Sequence, residues 1–409
     1  MASVLPFNGL LPQPQKIAQV AAVPYDVVNS EEAAELAKGN PLSFLRVSRP
    51  EIEMEPGVDL HCDAVYEKAA ANFKRLCATA PLEIDPEKHL YLYRLQMGSH
   101  IQTGVVGAVS AAEYNADIIK KHEKTRKDKE DDRTRHMMEL RSHTGPALLT
   151  YRDSDAINAM TDKITAAEPL CQFTAPDGII HTLWRIDPAS SVALSKLFEA
   201  VPCLYIADGH HRSAAAARTA AECAPQNPHH TGNEDYNFFL AVTFPQSQLR
   251  ILAYNRAVKS LNGLTPEQFL QKVQEKFSIE KTSVREPGKS GEFCVYLDKQ
   301  WYLARPKFDA SERGVIGCLD VSVLQDDILT PLLGIDDPRT STDIDFIGGI
   351  RGTAELVKLV DSGKFAIAFS MYPTTLTQLM DIADADAIMP PKSTWFEPKL
   401  RDGIVCHNF

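Results

Sequence analysis

The sequence predicts an α+β fold of mixed sheets with packed helices, not a doubly wound parallel sheet. Two observations carry this. Strand-like and helix-like runs are intermingled along the whole chain, without the regular alternation of βαβ units. The chain is also 409 residues long and 44% apolar, enough for two or three domains with sizeable cores.

Each element follows from local pattern. "HCDAVYEKAAANFKRL" from His61 reads as a helix, and "HLYLYRLQ" from His89 and "QTGVVGAVS" from Gln102 read as strands. "PALLTYR" from Pro146 and "HTLWRI" from His181 add two more strands, and "CLYIA" from Cys203 and "FFLAVTF" from Phe238 are apolar enough to be buried ones. "RILAYNRAV" follows so closely that it predicts a hairpin with the preceding strand. "TPEQFLQKVQEKF" is a helix capped by Thr265, with Pro266 at its first position and Phe269, Val273 and Phe277 on one face. "APQNPHHTGNEDY" and "REPGKSGE" read as surface loops. A boundary near residues 257 to 265 gives a main α+β domain over 1–260 and a smaller C-terminal α/β region over 261–409, with the tail returning to the main domain.

Composition excludes several classes. A net charge of -11 argues against general binding to nucleic acid or to an anionic membrane. Eight scattered cysteines form no CxxC pair, so they read as reduced thiols in a cytoplasmic protein. The N-terminus has no signal-peptide pattern, and no run is long enough to span a membrane.

The densest chemistry lies in "IADGHHRSAAAAR". An apolar strand ends at Ala207, Asp208 and Gly209 supply a turn, and an alanine-rich helix follows. The unpaired amides and positive dipole end of that helix suit a phosphate. Arg212 can add a bidentate clamp, and His210 or His211 can bond a phosphate oxygen or place a proton. The competing structural reading makes Asp208 an N-cap and the histidines packed groups.

This turn resembles the phosphate-binding turn of the ParB/sulfiredoxin superfamily, whose free-serine kinases carry Gly-His-His-Arg there. The resemblance implies a nucleotide-phosphate role for Gly209, His210, His211 and Arg212. His210 stands where sulfiredoxins carry cysteine, so thiol-based repair is not implied. A second resemblance, to the domain-of-unknown-function family number one thousand and fifteen, is carried by "VPYDVV" (Val23 to Val28), "NPLSFLRVSRPE" (Asn40 to Glu51), "KKHEKTRKDKEDDR" (Lys120 to Arg133), "IADGHHR" and "MPPKSTWFEPKLRDG" (Met389 to Gly403).

The charged block has two readings. Glu123–Lys127 and Lys127–Asp131 spacings suit an exposed, salt-bridged helix. Alternatively the block walls an active site, with Lys120 and Arg133 neutralising phosphates and Glu123, Asp131 or Asp132 holding Mg²⁺ or acting as base. His122 adjoins Glu123. Pro24-Tyr25-Asp26 reads as a turn in which Asp26 bonds its own backbone, and Arg46 and Arg49 face either a ligand or the fold. Lys392 in the tail is a candidate phosphate ligand, and Trp395 and Phe396 read as packed onto the core. "GKS" at Gly288 lacks the first glycine of a Walker A loop, and "GGIRG" at Gly348 is not a dinucleotide fingerprint.

Together these features predict a small-molecule kinase with Asp208, Glu123 and His211 in catalysis and Asp208 and Glu123 on Mg²⁺. Gly209, His210, His211, Arg212, Lys120, Arg133 and Lys392 would bind ATP or ADP. The partners expected are a nucleotide and a small hydroxyl-bearing metabolite, which the superfamily resemblance implies is free L-serine; a homodimer is compatible with the sequence. The alternatives are a ParB-like nucleotide switch and a hydrolase of phosphorylated metabolites.

Overall fold

A computed structural model describes residues 1–80 and 82–409. The protein is a mixed α+β chain that divides into two compact units, Met1–Leu249 with Pro398–Phe409, and Arg250–Glu397. The boundary expected near residue 260 falls inside the second unit, because Tyr254–Val258 is paired on both edges there, with Ile344–Gly348 and Ile367–Met371.

The first unit is built on an eight-stranded sheet. Its order is Ile119–Lys120, Leu204–Asp208, Ala147–Tyr151, Phe238–Pro245, His100–Ser110, Tyr91–Met97, Ile180–Arg185 and Cys171–Thr174. Two pairings are parallel, Ile119–Lys120 with Leu204–Asp208 and Ala147–Tyr151 with Phe238–Pro245; the others are antiparallel. This mixture is why the strands read as apolar runs in the middle of the sheet and as alternating runs toward its edge. Leu92, Val105, Leu149, Tyr151, Phe198, Ile206 and Phe239 form its core.

The hairpin expected between "FFLAVTF" and "RILAYNRAV" does not form. Both edges of Phe238–Pro245 are already taken by His100–Ser110 and Ala147–Tyr151, which leaves no free edge for the following strand.

Helix His210–Cys223 buries Ala214, Ala215, Ala216 and Ala217, the small residues that let it lie close to its neighbours. One neighbour is the helix Lys127–Leu140, joined through Arg218 to Asp131 at 2.7 Å. A second, four-stranded sheet brings Cys406–Asn408 between Gly9–Pro12 and Ser142–His143, so the C-terminal residues are structural members of the first unit.

The second unit holds a six-stranded antiparallel sheet and the helix Pro266–Lys276. Thr265 caps that helix as its sequence predicts, and Gln268 returns a bond to complete a capping box. Phe396 is buried, in the short strand Trp395–Phe396 paired with Ile251–Leu252. The eight cysteines are free thiols. Among the described residues no helix is long and apolar enough to cross a membrane.

Candidate functional site

The strand-to-helix corner at Asp208 forms as its sequence predicts, with one change of role. The register against Ala147–Tyr151 shifts between Ile206 and Asp208, an irregularity that re-aims the end of the strand. Gly209, at φ +92°, then turns the chain left-handed and is itself the N-cap; Asp208 makes no cap bond. The N-cap reading of Asp208 is therefore corrected. Its carboxylate faces two cations instead: Oδ2 lies 3.2 Å from Arg212 Nη2 and Oδ1 lies 3.6 Å from Lys399 Nζ. Burial pushes Asp208 up, but Lys399 and Arg212 outweigh it and hold the carboxyl below its usual range.

Arg212 is buried, and Nη1 donates to the Pro146 carbonyl at 2.6 Å. Burial works against its charge, and Asp26, Asp208 and Asp402 more than compensate, so the guanidinium stays ionised. Nη1 is engaged by Pro146 and Nη2 by Asp208, while the buried Nε has no hydrogen-bond partner. The ring of His210 is buried and packs edge-on against His122, with centroids 4.4 Å apart. Its Nδ1 lies 3.5 Å from Glu123 Oε2. Burial keeps both rings neutral, lowering His122 to about 4. His211 is half-buried, accepts the Arg126 amide at 3.2 Å, and is also held below its ordinary value, chiefly by burial.

The charged block divides. Lys127–Leu140 is a helix whose outer face carries the expected Lys127–Asp131 pair at 2.7 Å, while Asp132, Arg133 and His136 turn inward. Arg133 grips Asp132 with two nitrogens, at 2.8 and 2.7 Å, and stacks over the Tyr25 ring at 4.0 Å. Tyr25–Val27 is a turn of 3-10 helix, which places Asp26 where its charge reaches Arg212 and His211. Lys120 lies on the short edge strand, where Asp117 holds its ammonium at 3.5 Å. Lys392 belongs to the second unit, over the Tyr254 ring, and the corner is built entirely from the first. Arg46 and Arg49 serve the fold: Arg46 pairs with Glu53 at 2.5 Å, and Arg49 with Glu51 at 3.2 Å.

Two residues unassigned by the sequence join the site. Lys399 is one. The other is Asp402, whose backbone exchanges hydrogen bonds with Ala22 at 2.9 and 3.2 Å and so ties the tail beside the Tyr25 turn. Asp402 is buried, and its carboxyl is pushed up to about 7, mainly by burial, with Arg212 pulling the other way. Both residues lie in the "EPKLRDG" stretch of the tail motif, but no helical or strand periodicity singles them out. Beside the corner, a cleft of about 70 Å³ is lined by Tyr25, Arg49, Glu51, Tyr66, Asp132 and Arg133.

Mg²⁺ finds no prepared site here. Among the described residues no three His, Cys, Asp or Glu side chains converge as a metal set. A cation reaching Asp208 would first meet Lys399 and Arg212, so these residues do not fit the metal role given to Asp208 and Glu123.

The fold and this corner define a mixed α+β protein with a buried charge cluster where a strand passes into a helix. The chain belongs to the family described as "Protein of unknown function (DUF1015)", which matches residues 4–322. No curated protein matches it. Among solved structures it is similar to a free serine kinase in complex with AMP, at 13% identity and a TM-score of 0.35, over 72% of this chain and 86% of that one. It is also similar to SbnI with C-terminal truncation from Staphylococcus aureus, at 10% identity and a TM-score of 0.38, over 72% and 84%. A conserved hypothetical protein from Pyrococcus furiosus matches at 14% identity and a TM-score of 0.33, over 73% and 93%.

Proposed function

We propose that this protein is a small-molecule phosphotransferase that moves a phosphoryl group from ATP or ADP to a hydroxyl, with free L-serine as the acceptor. One observation carries the reading. Segments distant in sequence meet at the corner, and there four buried polar atoms have no hydrogen-bond partner: His122 Nδ1, His210 Nε2, Arg212 Nε and Asp402 Oδ1. Buried polar atoms are nearly always paired, so several orphans in one charged cluster mark a place that a ligand completes.

The chemistry suits phosphoryl transfer, which depends on positioning and charge neutralisation more than on covalent catalysis. The helix amides after Gly209 would receive the phosphate, as in the ParB/sulfiredoxin turn that the sequence resembles, with Arg212, Lys399 and Arg133 supplying positive charge. The half-buried His211, neutral at pH 7, is placed to accept or donate a hydrogen bond. The cleft of about 70 Å³ offers the polar groups of Tyr25, Tyr66, Asp132 and Arg133 to a small acceptor, and the nucleotide phosphate would sit at the corner.

The same small cleft favours a second reading, hydrolysis of a phosphorylated metabolite. One assay separates the two. Purified protein is incubated with ATP or ADP, with and without L-serine and Mg²⁺, and products are resolved by mass spectrometry. O-phosphoserine formation supports the kinase, and phosphate release without acceptor supports the hydrolase. If neither nucleotide raises the melting temperature and no hydroxyl compound is phosphorylated, the kinase reading is overturned.

A further inference from the structure

We infer that Arg49 and Glu51 read the α-carboxylate and the α-ammonium of the acceptor, so that the substrate of this site is a zwitterionic hydroxy-amino acid; this rests on the phosphotransferase reading.

Both residues line the cleft of about 70 Å³, several times the roughly 10–15 Å³ that one water needs. They flank Pro50 in "SRPE". Arg49 ends the short helix Leu45–Ser48, and Pro50 opens the 3-10 turn Pro50–Glu53. Proline fixes its own φ and keeps the residue before it out of helical backbone, here at φ −137° and ψ 60°. The two charged side chains are thus carried on a stiff turn. Both are mostly buried, with 19% and 7% of the side chain exposed.

Each keeps one polar atom for a ligand. Arg49 gives Nη1 to Glu51 Oε1 at 3.2 Å and Nη2 to the Val28 carbonyl, and its buried Nε has no hydrogen-bond partner. Glu51 takes its hydrogen bonds on Oε1, from Arg49 and from Ser30 Oγ at 2.9 Å, which leaves Oε2 open. A guanidinium and a carboxylate that serve only each other commonly close as a bidentate fork. This pair makes a single contact. It therefore presents an unmet donor and an unmet acceptor side by side, while Nη1 and Nη2 serve the fold.

A ligand of one charge matches only half of this arrangement. An anion alone would meet Nε and press against Glu51. An amine alone would meet Oε2 and leave Nε bare. A carboxylate and an ammonium on one carbon satisfy both.

The other ion pair of the cleft is already closed. Asp132 receives the Tyr66 hydroxyl at 2.8 Å and two Arg133 nitrogens at 2.8 and 2.7 Å. Tyr25 joins that wall to the corner, because its phenol feels Arg133 and Asp132 in the cleft and Arg212 and Asp26 beside it. An amino acid held at its backbone end by Arg49 and Glu51 leaves its hydroxyl for the Tyr25 side, toward the phosphate at the corner.

The test compares three acceptors with ATP or ADP as donor: L-serine, ethanolamine, which lacks the carboxylate, and 3-hydroxypropionate, which lacks the ammonium. Wild type should favour L-serine over either by about 100-fold or more in kcat/KM, and calorimetry should show the same order of binding. Glu51→Gln should raise KM for L-serine about tenfold with kcat nearly kept, and should leave 3-hydroxypropionate within about twofold. Arg49→Lys, which keeps the charge but loses Nε, should do the same for L-serine and spare ethanolamine. A merely structural role would weaken all three acceptors alike, and that result overturns the assignment. Wild type that uses ethanolamine or 3-hydroxypropionate as well as L-serine also overturns it, on the enzyme with its fold intact, and leaves the phosphotransferase reading standing. Wild type that binds L-serine in this order but phosphorylates no acceptor overturns the phosphotransferase reading and supports the subsite.

Discussion

Asp208 and Arg212 meet at 3.2 Å, one helical turn apart, while the same guanidinium donates to the carbonyl of Pro146 at 2.6 Å. The arginine therefore ties the end of one strand, the start of the helix and the entry to Ala147–Tyr151 together. Removing it leaves Asp208 and Asp402 with one less compensating charge in a buried setting. Arg212→Ala should lower stability by about 3–5 kcal/mol in urea unfolding, and Arg212→Lys by less. A loss under about 1 kcal/mol would mean that the guanidinium is not what holds the corner.

Gly209 is the position where the turn itself demands glycine. At φ +92° any side chain is strained, and a Cβ would also press on Arg212 Nε at 3.1 Å and on the Ala147 backbone at 3.3 Å. Gly209→Ala should cost about 1–3 kcal/mol and, by displacing Arg212, weaken nucleotide binding. Wild-type stability together with wild-type affinity in this variant would show that the corner tolerates another geometry.

The corner was legible in the sequence because strand, turn and helix signals abut within fourteen residues, and each depends only on local conformation. The capped helix after Thr265 was legible for the same reason. Arg212 was visible as a charge but not in its role, since the Pro146 carbonyl that engages it lies 66 positions away. Asp402 was the hardest to see. Its significance comes from burial beneath Gly145 and beside Arg212, and nothing in "KLRDG" announces either. The lost hairpin has the same origin: adjacency in sequence favoured pairing, and non-local strands had already taken both edges of Phe238–Pro245.

Thr265 offers a control in the second unit. Its side chain accepts from the Gln268 amide at 3.3 Å, and Gln268 Oε1 takes the Thr265 amide at 2.9 Å. Thr265→Ala should destabilise that helix by about 1 kcal/mol, visible as faster amide exchange over Pro266–Lys276. Nucleotide affinity should not change. A shift in affinity would show that the second unit contributes to the site.

Acid should weaken the first unit through buried histidines. Burial lowers His122 and His136 to about 4 and His181 to about 3; Asp208 partly opposes this at His122, whereas Arg133 and Arg401 add to it at the other two. In the unfolded chain each ring titrates near 6.5. Between these values the unfolded state binds more protons, so stability rises with pH. The contribution is fully present above about 6.5 and is lost as pH falls toward 4, at roughly 3 kcal/mol per ring. Asp402 acts oppositely. Its carboxyl, raised to about 7, favours the folded state at low pH and loses that advantage as pH climbs, but it is one group against several histidines, His210 and His211 among them. The urea midpoint should therefore drop from pH 7 to pH 4.5. His136→Gln can keep a donor for the Val47 carbonyl, now met by His136 Nε2 at 3.1 Å, and should flatten the slope by about one proton. A midpoint that holds steady across that range would mean the rings take up protons while the protein stays folded, and their burial would not be what sets their charge.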